Sequence, residues 1–120
     1  MRTVAATILA VSAQFLGAAF PADAAQLRVE ALRQAGALLQ VVVVPPGSHI
    51  PPHSHATAVE VYVVRRGECE LIVNGARHEM RPGDVLLMEP GDVHALTNRG
   101  EEAFEVLVFK TNAGEGDTRW

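Results

Sequence analysis

The sequence contains little cysteine, few aromatic residues and no excess of positive charge. Its one cysteine cannot form an internal disulfide framework. The net charge of -4 at pH 7 argues against the basic surface that nucleic-acid binding requires. No segment has a long helical hydrophobic period, and no internal repeat, charge run or linker divides the 120 residues. These absences exclude a disulfide-stapled framework and leave no sign of nucleic-acid binding or of a second domain.

Apolar residues are abundant, at 48% of the chain, which is too many for a disordered protein. They are concentrated near the N-terminus, where Arg2 is followed by an uncharged run from Thr3 to Phe20 and by the small-x-small sequence Ala22-Asp23-Ala24. This layout is typical of a secretory signal peptide. A retained membrane anchor is the alternative, although Ser12 and Gln14 interrupt the apolar run.

The N-terminal pattern defines the expected domain organisation. We expect cleavage of residues 1–24 as a signal peptide, which leaves 96 of the 120 residues, from Ala25 onward. The mature protein is then exported, periplasmic or secreted, with no stable membrane insertion. Residues 25–110 are predicted to form a single domain, and the polar residues 111–120 a mobile C-terminal tail.

Beyond Ala25 the chain consists of short β-type runs separated by Gly, Pro and Asn turn signals. Asn74-Gly75, between two such runs, is a strong two-residue hairpin signal. Eight short strands in so small a chain predict an all-β fold, either a closed barrel or a two-sheet jelly roll. The predicted strands are Leu27–Arg33, Ala37–Val44, Val59–Arg65, Cys69–Val73, Arg77–Met80, Val85–Met88, His94–Thr97 and Ala103–Lys110.

The histidines suggest a metal site. In an extended segment His53 and His55 project on the same face, about 6 to 7 Å apart at Cα. Glu60 supplies a carboxylate from the next strand, and a fourth ligand is expected from a distant hairpin, where the residues alone do not choose among His94, His78 and His49. Imidazole and carboxylate ligands favour one divalent transition metal ion, such as Zn, Cu, Mn, Fe or Ni, with open coordination positions.

Two motifs in the chain resemble those of the cupin superfamily, over roughly residues 41–110. The first, G-x5-H-x-H-x4-E-x6-G, is filled at every fixed position, by Gly47, His53, His55, Glu60 and Gly67. The second, G-x5-P-x-G-x2-H-x3-N, is met by Gly83, Gly91, His94 and Asn98. Its one departure is Glu89, which stands at the position of the motif's proline.

The resemblance is to a small single-domain cupin, and it implies a cupin-type double-stranded β-helix, a jelly-roll barrel. It also implies a metal ion near one mouth of the barrel, ligated by His53, His55, Glu60 and His94. Apart from these ligands, the only candidates for acid–base catalysis are Tyr62 and Glu89. Tyr62 is two residues after Glu60 and is expected on the same face of the strand, whereas Glu89 fits a solvated surface acid better. Cys69 alternates with Leu71 and Val73 and is expected to be a buried small hydrophobe.

The function expected from this pattern is that of an exported metal-binding cupin. One hypothesis is an oxygen-dependent oxidoreductase, similar to the cupin dioxygenases, that acts on a small metal-chelating organic substrate. The alternative is a non-enzymatic module that binds a small ligand or a metal, and a cupin isomerase or decarboxylase is a third. The motifs do not choose among these, because cupins of all three kinds share them.

The expected export affects which metal ion the protein acquires. Arg2 has no twin arginine, so the chain is expected to cross the membrane unfolded and to acquire its metal outside the cytoplasm. Zinc, copper or manganese is therefore expected in preference to iron.

The resemblance also suggests a homodimer, since in cupins of this size an early strand often completes the partner's sheet. The run Leu38–Val44 is apolar enough to need cover on both faces.

Overall fold

A computed structural model describes the backbone of residues 7–12, 28–34 and 36–120 and the side chains of residues 36–120. All regular structure in these ranges is β-strand, as the sequence predicts. The strands are β1 (Thr7–Ser12), β2 (Arg28–Gln34), β3 (Ala37–Val44), β4 (His49–His55), β5 (Val59–Arg66), β6 (Cys69–Val73), β7 (Ala76–Met80), β8 (Val85–Met88), β9 (His94–Thr97), β10 (Phe104–Thr111) and β11 (Thr118–Arg119).

The strands form two antiparallel sheets that share one core. The first has the order β1-β2-β3-β10-β5-β8 and the second the order β11-β4-β9-β6-β7. Side chains from both sheets meet in a single buried cluster, in which Val44, Leu71, Met80 and Phe104 have no exposed surface. The predicted all-β jelly-roll architecture is therefore confirmed, and two sheets packed face to face leave a narrow interior for a site.

Along the strands of the first sheet, successive side chains point alternately toward the core and away from it. Buried and half-buried residues alternate along the whole of β3 and through most of β5 and β10. The register pairs Glu60 of β5 with Lys110 of β10 across the strands, and both side chains are on the inner face. The alternation of β5 thus brings a carboxylate, and that of β10 an ammonium group, into the interior.

Two turns show why particular residues are needed. Asn74 and Gly75 both have positive φ, 49° and 83°, and join β6 to β7 as the hairpin expected from the sequence. Gly67, after β5, has a φ of 74°, and a Cβ at this position would lie 2.5 Å from the carbonyl oxygen of Ala103. Only glycine fits a position with both constraints.

β4 was not among the predicted strands, because it contains Pro51 and Pro52. Proline cannot donate to a sheet ladder and normally excludes a central strand. In the structure β4 nevertheless pairs with β9, and the register shifts between Ile50 and His53, so that the two prolines fall in the irregularity. The last two residues of β4, which follow the irregularity, pair with β11.

Residues 111–120 differ from the expected mobile tail. Thr111 completes β10, and the chain then turns back so that Thr118 and Arg119 of β11 pair with His55 and Ser54 of β4. Most of this polar stretch is exposed to solvent, but Asn112, Asp117 and Thr118 form contacts with residues 55–58 of the barrel.

β1 lies within the predicted signal peptide and pairs with β2 over six residues. The other residues of that peptide, 1–6 and 13–24, lie outside the described residues, and cleavage and export stay predictions. Within the described ranges no helix has the length and apolar character needed to cross a membrane.

Candidate metal centre

Four buried side chains meet between the two sheets. β4 supplies His53 and His55, β5 supplies Glu60, and β9 begins with His94. The pairing of β4 with β9 sets His53 directly opposite His94. One ring nitrogen from each of the three histidines lies within 4.8 Å of the others. The structure thus brings together the four residues expected as ligands, and it selects His94 over His49 and His78.

Glu60 lies among the imidazoles. Its Oε2 is 2.7 Å from Nε2 of His55, and its Oε1 is 3.5 Å from Nε2 of His94. Burial would raise the pKa of this carboxyl group, but the His55 and His94 rings and the charge of Lys110 hold it well below its usual value. Glu60 is therefore a carboxylate in the folded protein, with oxygen atoms available as ligands.

Backbone carbonyls orient two of the imidazoles. Nδ1 of His53 donates to the carbonyl oxygen of Pro51 at 2.8 Å, and Nδ1 of His94 donates to that of Asp92 at 2.9 Å. A carbonyl oxygen only accepts, so each Nδ1 carries a hydrogen, and Nε2 is the ring nitrogen left to act as a ligand. This is the arrangement in which metal-binding histidines are held in proteins.

The irregularity in β4 explains the His53 contact. Pro51 and Pro52 have no N–H, so this part of the strand cannot form a regular ladder with β9. The carbonyl oxygen of Pro51 is free to accept from the ring two residues later. The proline pair that hides the strand in the sequence therefore helps to fix the orientation of one candidate ligand.

The imidazole of His55 is contacted by side chains from the C-terminal residues rather than by a backbone carbonyl. Oγ1 of Thr118 lies 3.3 Å from Nδ1 of His55, and Oδ2 of Asp117 lies 4.0 Å from the same nitrogen. Both residues belong to the segment that the sequence suggested was mobile. Sequence reasoning missed them because they approach His55 from a position 63 residues along the chain.

The inward-facing atoms satisfy the chemical test for a metal site. Nε2 of His55, Oε2 of Glu60 and Nε2 of His94 are buried and face one another, and none of them has a hydrogen-bond partner outside this cluster. Buried polar atoms without partners are rare in folded proteins. Burial, followed by the proximity of His94, lowers the pKa of His53 to about 4, so this ring is neutral at pH 7. Neutral imidazoles and a carboxylate form a set of donors that suits a divalent transition metal.

A cavity of about 60 Å³ is lined by three of the four residues, His53, His55 and Glu60. Its polar lining includes Gln40, Tyr62 and Lys110, and Nζ of Lys110 is 3.6 Å from Oε2 of Glu60. Thr118 and Trp120 also line it. Its apolar walls are formed by Val42, Ile50, Leu96, Val106 and Val108.

The two candidates for acid–base catalysis are in different places. Tyr62 is buried and lines the cavity, where burial and then the charge of Glu60 raise the pKa of its phenol well above the usual value. Glu89 is exposed and is not among the residues that line this cavity; its backbone N–H donates to Asp92.

Residues predicted to be structural also have clear positions. Asn98 is fully buried and donates from Nδ2 to the carbonyl oxygens of Val44 and Glu102. Cys69 is buried, and burial raises the pKa of its thiol to about 12. The buried position expected for Cys69 from the sequence is therefore confirmed.

Comparisons with known proteins agree with this geometry. An oxalate-binding protein from Thermotoga maritima is 31% identical over 82 residues, which cover 68% of either chain. A Klebsiella pneumoniae protein with a double-stranded β-helix domain has a similar structure, with a TM-score of 0.70 at 24% identity over 78% of this chain and 82% of that one. A Cupin 2 conserved barrel domain protein from Salinispora arenicola gives a TM-score of 0.64 at 28% identity, covering 72% and 76%.

The family comparison covers the strands that carry all four candidate ligands. The model of the cupin domain matches residues 40–110, from within β3 to the penultimate residue of β10. The match spans more than half of the chain and includes both motifs recognised in the sequence. The protein belongs to the cupin domain family.

Proposed function

We propose that this protein binds one divalent transition metal ion through His53, His55, Glu60 and His94, and a small organic anion at that ion. The observation that carries the proposal is the group of buried ligand atoms that have no hydrogen-bond partner outside their own cluster, beside a cavity lined by an ammonium group. The four side chains have the composition and orientation of a metal site. When bound, the ion supplies Lewis acidity and open coordination positions for the anion.

The charges around the cavity favour an anion. The carboxylate of Glu60 and the ammonium group of Lys110 cancel formally, so the positive charge of a bound ion needs another partner. Asp117 supplies part of the balance near His55, but three hydrogen bonds from Thr57 and Ala58 already engage its carboxylate. A small anion that reaches both the ion and Lys110 completes the balance.

The size and walls of the cavity limit the anion. About 60 Å³ of space between apolar side chains suits a molecule of a few non-hydrogen atoms. The relative from Thermotoga maritima is named for oxalate binding, and oxalate has both the charge and the small size that this cavity accepts. A small carboxylate such as oxalate is therefore the ligand class that we propose.

Calorimetric titration tests the proposal directly. Manganese or zinc is titrated into the metal-free protein, and oxalate is then titrated into the loaded protein. We expect His94→Ala to weaken metal binding at least about tenfold, because it removes one of four ligands. His78→Ala is the matched control, since His78 is exposed on β7 and outside the cluster. Equal metal affinity in both variants would refute the site.

A variant at Lys110 distinguishes anion binding from metal binding. Lys110→Met removes the ammonium group but keeps an apolar side chain of similar length, and we expect the affinity for oxalate to fall at least about tenfold. The metal affinity should stay the same or rise, because a positive charge next to Glu60 is lost. Unchanged oxalate binding in this variant would contradict the anion subsite.

A second function, oxygen-dependent oxidation of the bound organic anion, is supported by the mostly apolar cavity beside the candidate ligands, since a metal ion held there by four protein ligands would keep coordination positions for the anion and oxygen. Isomerase or decarboxylase chemistry has less support, because Tyr62 stays protonated and can donate a proton but not abstract one. Oxygen uptake by the metal-loaded protein, measured with oxalate, phenols, diketones and thiols, tests the oxidoreductase. If the organic anion binds but neither the wild type nor His94→Ala consumes oxygen, the oxidoreductase is excluded and the non-enzymatic binding module is supported.

A further inference from the structure

The segment of residues 112–120, here called the return segment, is attached to the turn that joins two ligand strands. Oδ1 of Asp117 accepts from the backbone N–H and the hydroxyl of Thr57, at 2.7 and 2.8 Å, and Oδ2 accepts from the N–H of Ala58 at 3.2 Å. The backbone N–H of Ala56 donates to the carbonyl oxygen of Asp117 at 2.9 Å. This turn lies between His55 and Glu60, so the attachment is at the base of the metal site.

A second set of contacts secures the start of the return segment to the same turn. Oγ1 of Thr57 also lies 2.9 Å from the carbonyl oxygen of Asn112, so its single hydrogen is shared between Asn112 and Asp117. Nδ2 of Asn112 donates to the carbonyl oxygen of Thr57 at 3.2 Å. Asn112 has a φ of 57°, which reverses the chain after β10. Both ends of the reversal are therefore fixed, and the path of the residues that follow is determined.

The attachment carries Trp120 to the mouth of the cavity. β11 pairs with β4, so that Thr118 is opposite His55 and Arg119 is opposite Ser54. The indole of Trp120 then lies against His53, with ring centroids 4.9 Å apart and an interplanar angle of 38°. Trp120 lines the cavity while 42% of its surface is exposed. It is thus the boundary between the metal site and solvent on this side.

We propose that Trp120 is a specificity-determining residue that limits the size of the anion bound at the metal centre. The inference rests on the proposed function. With the indole over His53, a cavity of about 60 Å³ remains beside the candidate ligands. Among linear dicarboxylates oxalate requires the least displacement of the indole, and each added methylene group extends the ligand further toward it. The return segment holds Trp120 against that displacement.

The test compares a series of dicarboxylates of increasing length. Oxalate, malonate, succinate and glutarate are titrated into the manganese-loaded wild type, Trp120→Ala and Trp120→Phe. We expect Trp120→Ala to bind succinate and glutarate at least about tenfold more tightly than the wild type, with oxalate affinity changed less than about threefold. Trp120→Phe keeps an aromatic ring and should retain most of the selectivity. A parallel loss of affinity for all four acids would show that the indole only packs on His53.

Chelator access gives a readout that does not depend on the carboxylates. Trp120→Ala should release zinc to EDTA at least about fivefold faster than the wild type, because the bulky chelator reaches the ion through the widened mouth, and Trp120→Phe should resemble the wild type. Equal release rates overturn the inference, while a wild type that takes up no metal overturns the proposed function as well. Thermal melts of the three proteins confirm that each is folded.

The fluorescence of Trp120 reports its position independently. It is the one tryptophan of the chain, so its emission is the protein's tryptophan signal. We expect Cu²⁺ bound at the centre to quench this emission strongly and stoichiometrically, and Zn²⁺ to quench it much less. Cu²⁺ binding without quenching would place the indole away from the site and contradict the proposal.

Discussion

His53 and His94 lie opposite each other on β4 and β9, with ring centroids 4.2 Å apart. Each ring is held by a backbone carbonyl two residues earlier, that of Pro51 for His53 and that of Asp92 for His94. The strand pairing sets the distance between the rings, and the carbonyls set their orientation. The metal-free barrel therefore already holds two of the four ligands in position, which lowers the conformational entropy lost on binding.

The first prediction concerns thermal stability. Because the ligands are arranged only in the folded state, metal at about 100 times its dissociation constant should stabilise the protein by about 2.7 kcal/mol. For a domain of this size the melting temperature should rise by about 10 °C or more. EDTA should reverse the rise, and His53→Ala should abolish it while His78→Ala retains it. A melting temperature that is insensitive to metal in the wild type would contradict the site.

The second prediction concerns acid sensitivity of the metal-free protein. The pKa of His53 falls from 6.5 to about 4 on folding, so the unfolded chain binds a proton there that the folded chain does not. Stability should therefore decline as the pH falls from about 6.5 to 4, by about 3 kcal/mol from this group. Urea unfolding in EDTA at several pH values measures the slope. His53→Gln should flatten it in this window, and His78→Gln should not.

The third prediction tests the turn after β5. Gly67→Ala introduces a Cβ that would approach the carbonyl oxygen of Ala103 at 2.5 Å, in addition to the strain of a positive φ. Gly75→Ala has the same backbone strain with open space around the added atom. We expect Gly67→Ala to lower the free energy of unfolding by at least about 1 kcal/mol more than Gly75→Ala. Equal losses in urea titrations would show that Ala103 moves aside easily.

The fourth prediction concerns the homodimer expected from the sequence. On the outer face of the first sheet, cross-strand neighbours form an apolar row of Leu39, Phe109, Val61 and Leu87, and Leu87 is 59% exposed. A second copy packed on this row would cover it. Light scattering after size exclusion should give a dimer for the wild type and a monomer for Leu87→Glu. Ile72→Glu, on the other sheet, is the control, and a monomeric wild type would exclude the dimer.

The fifth prediction concerns the identity of the metal. If the chain is exported unfolded, it acquires its ion outside the cytoplasm, where the affinity order favours copper or zinc over iron or manganese. We expect the isolated protein to carry zinc, copper or manganese rather than iron. Elemental analysis of protein isolated from its native compartment checks this expectation. Iron at full occupancy would contradict it and would point to loading before export.

The sequence predicted most of the fold and the candidate ligands. Alternation marked the eight strands, since one face of each sheet is buried. The spacing of His53, His55 and Glu60 was visible because these residues are close together in the chain. His94 was recognised only through the resemblance to cupins, because no local pattern distinguishes it from His49 or His78. The pairing of β4 with β9 supplies that distinction.

What the sequence did not reveal depends on contacts between distant residues. Lys110 looks like an ordinary strand residue until the register of β10 with β5 places it opposite Glu60. β4 was missed because Pro51-Pro52 contradicts local strand propensity, and tertiary pairing overrides that propensity here. The return segment was missed because Asp117 and Thr118 have partners about 60 residues away. Polar composition alone does not distinguish a solvated segment from one whose polar groups are bound.

The pairing of β4 with β11 has a consequence for the order of assembly. His55 gains the contact with Thr118 only after 63 further residues have been synthesised. Closing so long a loop is a late event in folding, because its entropy must be overcome before the contact contributes. A folding intermediate in which the strands up to β10 have paired therefore has all four candidate ligands but an incompletely supported His55. We expect the centre to reach its full affinity only when β11 has paired with β4.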